Sequence, residues 1–366
     1  MSDTIAFNSA SYNIGFRNIF TYLLKFNKNS MKNILFLFRV LLYQRKAAKI
    51  RKQNKKEGII VPPFIMISIT RQCNLNCKGC YQKAQHRTPQ KEMSTEKIIS
   101  VLKEAENLGS SLAGILGGEP FMRKDYFEIT ASLPNMIFAT FTNGMLIDDE
   151  MIKKLKKHKN IFPLISNEGY ECETDGRRGP GVYKHFRELA EKFRKNHIMF
   201  GVSFTATSEN FDIVNDEKFI KDLVKSGSTL FFYMDYRPVD GKSSHLELSK
   251  EQLQVLIDYT DTFRLKYDAI YLAPVAEKRF GGCFGAGKGL IHVNFDGDVE
   301  PCPFAPISDM NLYDVSLKEA LNSEVFRIIK ENHDKLEHTH HGGCTLWEHR
   351  EWLQTIKKEE VLEDAG

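Results

Sequence analysis

Residues 64–84 read FIMISITRQCNLNCKGCYQKA and join a short apolar run to three cysteines that lie within eight positions. The run FIMISIT (64–70) is typical of a buried parallel strand. Cys73, Cys77 and Cys80 follow it directly and are surrounded by Asn, Lys and Gly rather than by apolar residues. Because the loops after the strands form the functional face of a β/α barrel, we expect these three thiols to be functional.

The alternation of short apolar runs and longer helical patterns continues to about residue 273 and determines the predicted fold. Strand, helix and strand recur about every 25 to 40 residues, which is the pattern of right-handed βαβ units around a parallel sheet. We therefore predict an α/β fold, a partial (β/α)6 TIM-like barrel, over residues 61–276. The predicted strands after the first are residues 112–117, 136–141, 161–166, 197–204, 229–235 and 269–273, and the predicted helices are residues 94–108, 126–133, 148–158, 183–195, 217–226 and 249–265.

Residues 277–366 have a different pattern and predict a smaller C-terminal domain. Gly-rich loops come first, and a hairpin follows, with Leu290–Phe295 and Val299–Cys302 on either side of an Asp-Gly-Asp turn. Helices are predicted at residues 316–332 and 347–361.

Residues 1–60 form a third region, which is basic and apolar. Between Gly15 and Lys56 there are twelve Lys or Arg and no Asp or Glu. The apolar stretch Ile34–Leu42 is too short to cross a bilayer. Two interpretations remain open: a basic helix that lies on an anionic membrane surface, and a helix that packs on the main domain with its lysines in solvent.

Composition places the chain among ordinary globular proteins, with 42% hydrophobic and 27% charged residues. Seven cysteines in 366 residues are too few for a disulfide scaffold, and no secretory signal opens the chain, so we expect the protein to be located in the reducing cytoplasm.

The membrane interpretation adds peripheral contact with the inner face of the membrane through residues 15–56. The basic run lacks interleaved aromatic residues and a nucleic-acid-binding motif, which argues against specific nucleic-acid binding.

The spacing C-x3-C-x2-C of the first three cysteines favours an iron–sulfur cluster over zinc. Structural zinc takes four protein ligands and favours two separated C-x2-C pairs. Thiolates are the ligands of iron–sulfur clusters, and a cluster held by three of them leaves one iron open.

Polar and glycine residues follow each of the next strands, at the same predicted edge of the sheet. The segment Gly117–Pro120 reads GGEP: its glycines let the backbone approach closely, and Glu119 suits a cation. Arg177 and Arg178 lie in the predicted loop ETDGRRGPGVY, where an arginine could clamp a carboxylate. The other candidates are Asn143 after the third strand, Ser166 and Glu168 after the fourth, Ser203 and Thr205 after the fifth, and Asp235 and Arg237 after the sixth.

With these elements in this order, the chain resembles the radical S-adenosylmethionine (radical SAM) superfamily. The three-cysteine loop after the first strand, GGEP after the second and the turn Thr142–Gly144 after the third carry the resemblance. The family's fold is a (β/α)6 barrel, and its cysteine loop binds a [4Fe–4S] cluster whose open iron chelates S-adenosylmethionine. The resemblance implies that Cys73, Cys77 and Cys80 are the cluster ligands.

The resemblance also implies a binding site for S-adenosylmethionine. Backbone carbonyls of GGEP and the Glu119 side chain would receive the methionine ammonium, and Ser166 and Glu168 would face the ribose and the methionine carboxylate. The residue before the third cysteine is usually aromatic and lies near the adenine; here it is Gly79, and Tyr81 is the aromatic candidate. The complete predicted cofactor-binding set is Tyr81, Gly117, Gly118, Glu119, Pro120, Asn143, Ser166, Glu168, Arg178 and Ser203.

A second set of cysteines lies in the C-terminal region. The order Cys283, thirteen residues, Gly297, four residues, Cys302 resembles the opening half of the SPASM/twitch extension of radical SAM enzymes, and Cys344 would complete a three-thiolate site. With one cysteine after Cys302, a twitch-like domain with one auxiliary [4Fe–4S] cluster is the better match. Structural zinc is the alternative for this site. The fourth ligand is unassigned: the side chains considered for it are Cys172, His338, His340 and His341, and the alternative is an iron that is open to substrate or water.

Cys172 itself matches no motif, and we predict that it is a small buried hydrophobe.

The resemblance finally implies an activity. A radical SAM enzyme reductively cleaves S-adenosylmethionine to a 5′-deoxyadenosyl radical, which here would modify an unidentified lipid, small molecule or peptide. A flavodoxin- or ferredoxin-type protein would supply the electron. The alternative from another class is a non-catalytic iron–sulfur or zinc-binding redox sensor or electron carrier.

Overall fold

The computed structural model describes residues 31–85, 91–239, 241–273, 287–332 and 344–363, together with residues 283, 285 and 336. Its strands are β1 (Phe64–Ser68), β2 (Leu112–Leu116), β3 (Ile137–Thr142), β4 (Ile161–Ser166), β5 (Phe200–Ala206), β6 (Ser228–Asp235), β7 (Ile270–Leu272), β8 (Leu290–Val293) and β9 (Val299–Glu300). Its helices are α1 (Met31–Lys56), α2 (Tyr81–Ala84), α3 (Thr95–Leu108), α4 (Tyr126–Ala131), α5 (Asp149–Lys157), α6 (Glu171–Arg178), α7 (Val182–Lys195), α8 (Phe211–Val214), α9 (Glu217–Lys225), α10 (Lys250–Tyr267), α11 (Leu317–Ala320), α12 (Glu324–Glu331), α13 (Thr345–Glu348) and α14 (Arg350–Glu363).

The strands form one sheet in the order β7-β6-β5-β4-β3-β2-β1-β8-β9. Neighbouring strands from β7 to β8 are parallel, and β9 returns antiparallel to β8. The predicted α/β fold with a partial TIM-like barrel is confirmed. The start of β5 differs most from the prediction: it begins at Phe200, three residues late, because His197 has a φ of 54° and its N–H donates to the Arg194 carbonyl in the turn after α7.

The two faces of β1 have different functions. Ile65 and Ile67 are fully buried in the main core, together with Leu102 of α3. Met66 points to the opposite face, because successive side chains of a strand alternate, and it lines a cavity inside the barrel. The apolar pattern of this strand therefore anchors the helical layer on one side and shapes a site on the other.

The helix α1 packs on α3 and the turn that follows it. Ala47 is buried, Ser111 Oγ donates to Gln44 Oε1 over 2.6 Å, and Asn54 Nδ2 donates to the Leu108 carbonyl over 2.9 Å. For residues 31–56 the interpretation of a helix packed on the main domain is therefore confirmed. None of the described helices combines the length and the apolar character that crossing a bilayer requires.

Three elements differ from the sequence prediction. Residues 316–332 form two helices instead of one, because Ser323 starts a new helix by accepting a hydrogen bond from the Phe326 N–H. The predicted helix 347–361 likewise consists of the end of α13 and most of α14. The segment predicted as a loop around Arg177 and Arg178 contains α6, which ends at Arg178.

The predicted hairpin is confirmed, and it belongs to the main sheet. Val293 pairs with Val299, and Gly297 makes the turn with a φ of 98°. Because β8 pairs with β1, Ile291 lies in the same core as the barrel. The boundary predicted at residue 277 lies outside the described residues, and a separate C-terminal domain remains a prediction.

Candidate active site at the carboxyl edge of the sheet

The cysteine loop is fixed to β2 by main-chain hydrogen bonds that continue beyond both strands. The Ile69 N–H donates to the Leu116 carbonyl over 3.0 Å, the Gly118 N–H donates to the Thr70 carbonyl over 2.8 Å, and the Glu119 N–H donates to the Gln72 carbonyl over 2.7 Å. The loop that carries Cys73 therefore starts as a continuation of the sheet.

Gly117 and Gly118 make this close approach possible. A Cβ at Gly117 would lie 2.4 Å from the Thr70 carbonyl oxygen, and Gly117 also has a φ of 152°. A Cβ at Gly118 would lie 2.2 Å from the Gln72 carbonyl oxygen. Both obstacles are backbone atoms, which cannot move aside as a flexible side chain can.

The start of the loop is held from the other side by a charged contact with the hairpin. The Arg71 N–H donates to Glu92 Oε1 over 2.8 Å, and the Arg71 guanidinium pairs with Asp296 over 3.0 Å. The same guanidinium lies 4.5 Å from the centre of the Phe295 ring. The residues just before Cys73 thus have little freedom.

A cavity of about 190 Å³ lies at this edge and collects most of the predicted site residues. Those that line it are Cys73, Cys77, Cys80, Tyr81, Gly117, Gly118, Asn143, Ser166, Arg178 and Ser203, together with Arg177, Thr205, Asp235 and Arg237. Phe304, which was not among the predicted site residues, lines it as well. Glu119, Pro120 and Glu168 lie outside this lining, so the structure does not bring these three predicted cofactor-binding residues to the cavity wall.

Glu119 holds strand ends together instead of lining the cavity. It is 1% exposed, its Oε1 accepts from Thr142 Oγ1 over 2.8 Å and from the Phe121 N–H, and its Oε2 accepts from the Asn143 N–H over 2.8 Å. Burial raises the pKa of the Glu119 carboxyl, against these hydrogen bonds, which lower it. Pro120 is buried at the start of a 3₁₀ turn.

Asn143 connects the end of β3 to the cysteine loop. Its Nδ2 donates to Asn74 Oδ1 over 2.8 Å and lies 4.0 Å from Cys73 Sγ. Its Oδ1 accepts from the Met145 N–H. Burial also raises the pKa of the Cys73 thiol.

Glu168 accepts hydrogen bonds from two arginines at the opposite wall of the cavity. Its Oε1 accepts from Arg177 Nη1 over 2.5 Å and from Arg178 Nε over 2.8 Å, and its Oε2 accepts from the Thr205 N–H over 3.1 Å. The Lys78 N–H, in the middle of the cysteine loop, donates to the Arg177 carbonyl over 2.9 Å. Sequence reasoning missed this second anchor of the loop, because nothing local marks a contact between residues about a hundred positions apart.

The donor set fits a cluster held by three thiolates. Within the described ranges, no three His, Cys, Asp or Glu side chains are placed to ligate a single metal ion. In a [4Fe–4S] cluster each cysteine binds a different iron, so the three sulfurs need to face one space rather than surround one ion. Cys73, Cys77 and Cys80 meet that requirement, since all three line the same cavity.

The second set of cysteines shares one apolar cluster. Cys283 is buried in it, and Cys302 and Cys344 pack against it. A Cβ on Gly285 would lie 3.4 Å from Cys283 Sγ and 3.5 Å from Cys302 Cβ, so these two cysteines flank the same glycine. The candidate fourth ligands His338, His340 and His341 lie outside the described residues.

Cys172 is exposed on α6, so the prediction of a buried hydrophobe is wrong for this residue. It occupies the second position of a short helix whose buried side is made by Thr174.

A larger cavity of about 870 Å³ adjoins the first. The two cavities share Asp235, Tyr236, Arg237 and Phe304 in their walls. Trp347 of α13 lines the larger one. The barrel and the C-terminal helices thus enclose a space next to the cysteines.

Comparisons with known proteins agree with this geometry. Residues 67–223 match the radical SAM superfamily. The Fe-coproporphyrin III synthase of Methanosarcina barkeri is 30% identical over 54% of this chain, and the match spans 50% of that protein's length. The AdoMet-dependent heme synthase of the same organism is 26% identical over 79% of this chain and 89% of that protein. SuiB of Streptococcus suis has a similar fold, with a TM-score of 0.63 and 17% identity over 76% of this chain and 70% of that one.

Gly118→Ala tests the close approach between β2 and the cysteine loop. The added methyl group meets the Gln72 carbonyl, so we expect a loss of about 3 kcal/mol in the free energy of unfolding and less iron and sulfide than in the control after anaerobic reconstitution. Urea unfolding and iron and sulfide analysis measure the two effects. Gly176→Ala is the matched control, because nothing lies within 4 Å of the position that its Cβ would take. Equal iron content in the two variants would contradict the requirement for a glycine at position 118.

Proposed function

Because the chain belongs to the radical SAM superfamily, we propose that it is an enzyme that reductively cleaves S-adenosylmethionine and uses the product to modify a substrate bound beside the cysteine loop. The observation that carries this function is the shared cavity of Cys73, Cys77 and Cys80 with the backbone of Gly117 and Gly118. A [4Fe–4S] cluster held by Cys73, Cys77 and Cys80 would supply the one electron that cleaves the C5′–S bond of the sulfonium to methionine and the 5′-deoxyadenosyl radical.

We assign the residues of the cavity as follows. The three cysteines hold the cluster, and the Gly117 and Gly118 backbone receives the methionine ammonium, because these glycines bring main-chain atoms to the cavity wall. Ser166 and Ser203, at paired positions of β4 and β5, face the ribose side. Asn143 keeps the loop in register with β3 through its bond to Asn74 and presents its amide to the cavity.

Tyr81 is the candidate for covering the adenine. It lines the cavity, and its ring lies 5.1 Å from that of Phe304, at an angle of 52°. A ring held by a second aromatic ring offers a rigid apolar face to a base. This supports Tyr81 as the aromatic residue that covers the adenine.

The non-catalytic alternative is wrong. The family match covers residues 67–223, which include the cysteine loop and the strands β2 to β5, and the curated relatives are enzymes by name.

The adjoining larger cavity is our candidate for the substrate site. It shares Arg237 and Phe304 with the wall of the cluster cavity. Two relatives are named as synthases of heme and of Fe-coproporphyrin III, which supports a small-molecule substrate. The electron donor of the proposed reaction is a flavodoxin- or ferredoxin-type protein, and the exposed Lys78 on the cysteine loop suits an acidic carrier.

Release of 5′-deoxyadenosine tests the function directly. The anaerobically reconstituted protein, mixed with S-adenosylmethionine and dithionite, should release 5′-deoxyadenosine and methionine, measured by chromatography. Cys73→Ala, Cys77→Ala and Cys80→Ala should each lower the rate by at least about a hundredfold, because removing one of three ligands leaves the cluster without a stable site. Cys172→Ala, which replaces an exposed cysteine, is the control. Intact S-adenosylmethionine with the wild-type protein would refute the function.

We propose a second [4Fe–4S] cluster at Cys283, Cys302 and Cys344. Its support is that all three share one apolar cluster and that two of them flank Gly285. A buried apolar surround of this kind limits access of water to a cluster.

Iron counting distinguishes this cluster from zinc. We expect about eight iron atoms per wild-type chain and about four in Cys302→Ala, because the variant loses one of the two clusters. Metal analysis by mass spectrometry provides the count, and Cys172→Ala should match the wild type. About four iron atoms and one zinc per wild-type chain would show that the second site holds structural zinc instead of an auxiliary cluster.

We also propose that residues 15–56 make peripheral contact with a membrane. Within the described residues, this contact would involve the exposed face of α1. Phe38 is 55% exposed and Leu42 is 49% exposed, and exposed lysines and arginines follow them along the helix. Apolar residues next to basic ones suit an anionic bilayer surface.

Vesicle binding tests this contact. Phe38→Glu/Leu42→Glu should lower co-sedimentation with phosphatidylglycerol vesicles by about tenfold, because each change removes apolar contact and adds a repelled charge. Leu265→Glu alters an apolar residue on α10 that is 87% exposed and serves as the control. If wild-type protein and the double variant sediment alike, the contact is excluded.

A further inference from the structure

The guanidinium of Arg178 stands between a buried carboxylate and a cysteine of the first loop. Its Nε and Nη2 donate to Glu168 Oε1, over 2.8 Å and 2.5 Å, and its Nη1 lies 4.0 Å from Cys77 Sγ. The Arg178 side chain is 10% exposed and that of Glu168 is 1% exposed. The contact with the sulfur is therefore shielded from bulk water.

Arg178 and Arg177 share one ion-pair partner. Glu168 contacts both guanidinium groups, and the nearby Asp235 carboxylate is in contact with a third arginine, Arg237. Glu119 is a second buried carboxylate within reach of this charge, because Arg178 acts to lower its pKa against the effect of burial. The positive charge of Arg178 thus lies between buried carboxylates and Cys77.

The orientation of the Arg178 guanidinium is fixed from one edge. Its Nε and Nη2 both donate to Glu168 Oε1. Its Nη1 is directed to the sulfur of Cys77. The guanidinium therefore presents an N–H donor, and with it a positive charge, to a cysteine of the first loop.

The cysteine loop cannot move away from this charge independently. The Lys78 N–H, one residue after Cys77, donates to the carbonyl of Arg177, one residue before Arg178. The main chain of α6 and the main chain of the loop are therefore linked directly at the point where the guanidinium meets the sulfur.

We propose that Arg178, held by Glu168, raises the reduction potential of the cluster that Cys77 ligates. This inference rests on the proposed function, because it requires a cluster at this loop. Accepting an electron adds negative charge to the ligand sphere, and a fixed positive charge that donates toward a ligand sulfur favours that reduced form. Arg178 is thus a positioning residue for electron uptake, and its charge acts on the metal centre through Cys77.

A redox titration in the absence of S-adenosylmethionine tests the proposal without relying on turnover. Anaerobically reconstituted proteins are poised at a series of potentials, and the reduced cluster is measured by EPR; the signal that changes when S-adenosylmethionine is added identifies the cluster of this loop. In Arg178→Gln the ratio of reduced to oxidised cluster at a fixed potential should fall about tenfold, which is about 59 mV for a one-electron couple. Arg178→Lys, which keeps the charge, should restore most of the difference.

Lys78→Gln is the matched control. It removes a positive charge next to Cys77 in the sequence, but Lys78 is exposed, so solvent screens its charge and the ratio should change by less than about twofold.

The possible results separate the inference from the proposed function. An unchanged potential in Arg178→Gln, with a raised KM for S-adenosylmethionine, would make Arg178 a cofactor-binding residue and overturn the inference. An equal shift in Lys78→Gln would show a general charge effect and would also overturn it. In both cases the wild-type EPR signal and 5′-deoxyadenosine release would still support the proposed function, and their absence would remove it.

Discussion

The site depends on the close approach of two backbones, at Gly117–Gly118 and at Thr70–Gln72. Main-chain groups of one segment bond those of the other at 2.7–2.8 Å, and either Cβ would fall within 2.4 Å of a carbonyl oxygen. The cysteine loop is therefore positioned by the sheet itself, whose hydrogen bonds are obligatory in a buried environment. Because Gly118 precedes Glu119, the same approach places the Glu119 carboxylate at the end of β3. The carboxyl ends of β1, β2 and β3 are therefore connected to one another.

The sequence predicts the parts of this arrangement that have local signals. Buried parallel strands appear as apolar runs, and the GGEP segment marks the point where the backbone must come close. The helix α6 was missed because Gly176, Gly179 and Gly181 suggested a loop. The contact of Lys78 with Arg177 joins residues 99 positions apart, and a single sequence has no local pattern that encodes such a pair.

Glu119 and Glu168 show why residue type alone does not assign a role. Both follow a strand at the expected edge, where a carboxylate suits a cation. Both are 1% exposed, and a buried charge requires hydrogen-bond donors. The protein supplies these donors to both, from the β3 turn for Glu119 and from two arginines and Thr205 for Glu168. The charge that reaches the cavity wall at α6 is then that of the arginines, which suits thiolates and other anionic groups.

The two cysteine sets are parts of one continuous structure. The strand β8 pairs with β1, and His292 bridges them: its Nε2 lies 2.9 Å from Ser68 Oγ, and its Nδ1 lies 2.7 Å from Glu300 Oε2, two residues before Cys302. On the other side, Gln85 Nε2 donates to the Pro303 carbonyl over 2.7 Å, next to the contact between Tyr81 and Phe304. The Cys302 loop is thus attached to the strand before the first cysteine loop and to the helix after it. A displacement of Cys302 must therefore act on both ends of the segment that holds Cys73, Cys77 and Cys80, because closely packed interiors transmit strain instead of absorbing it.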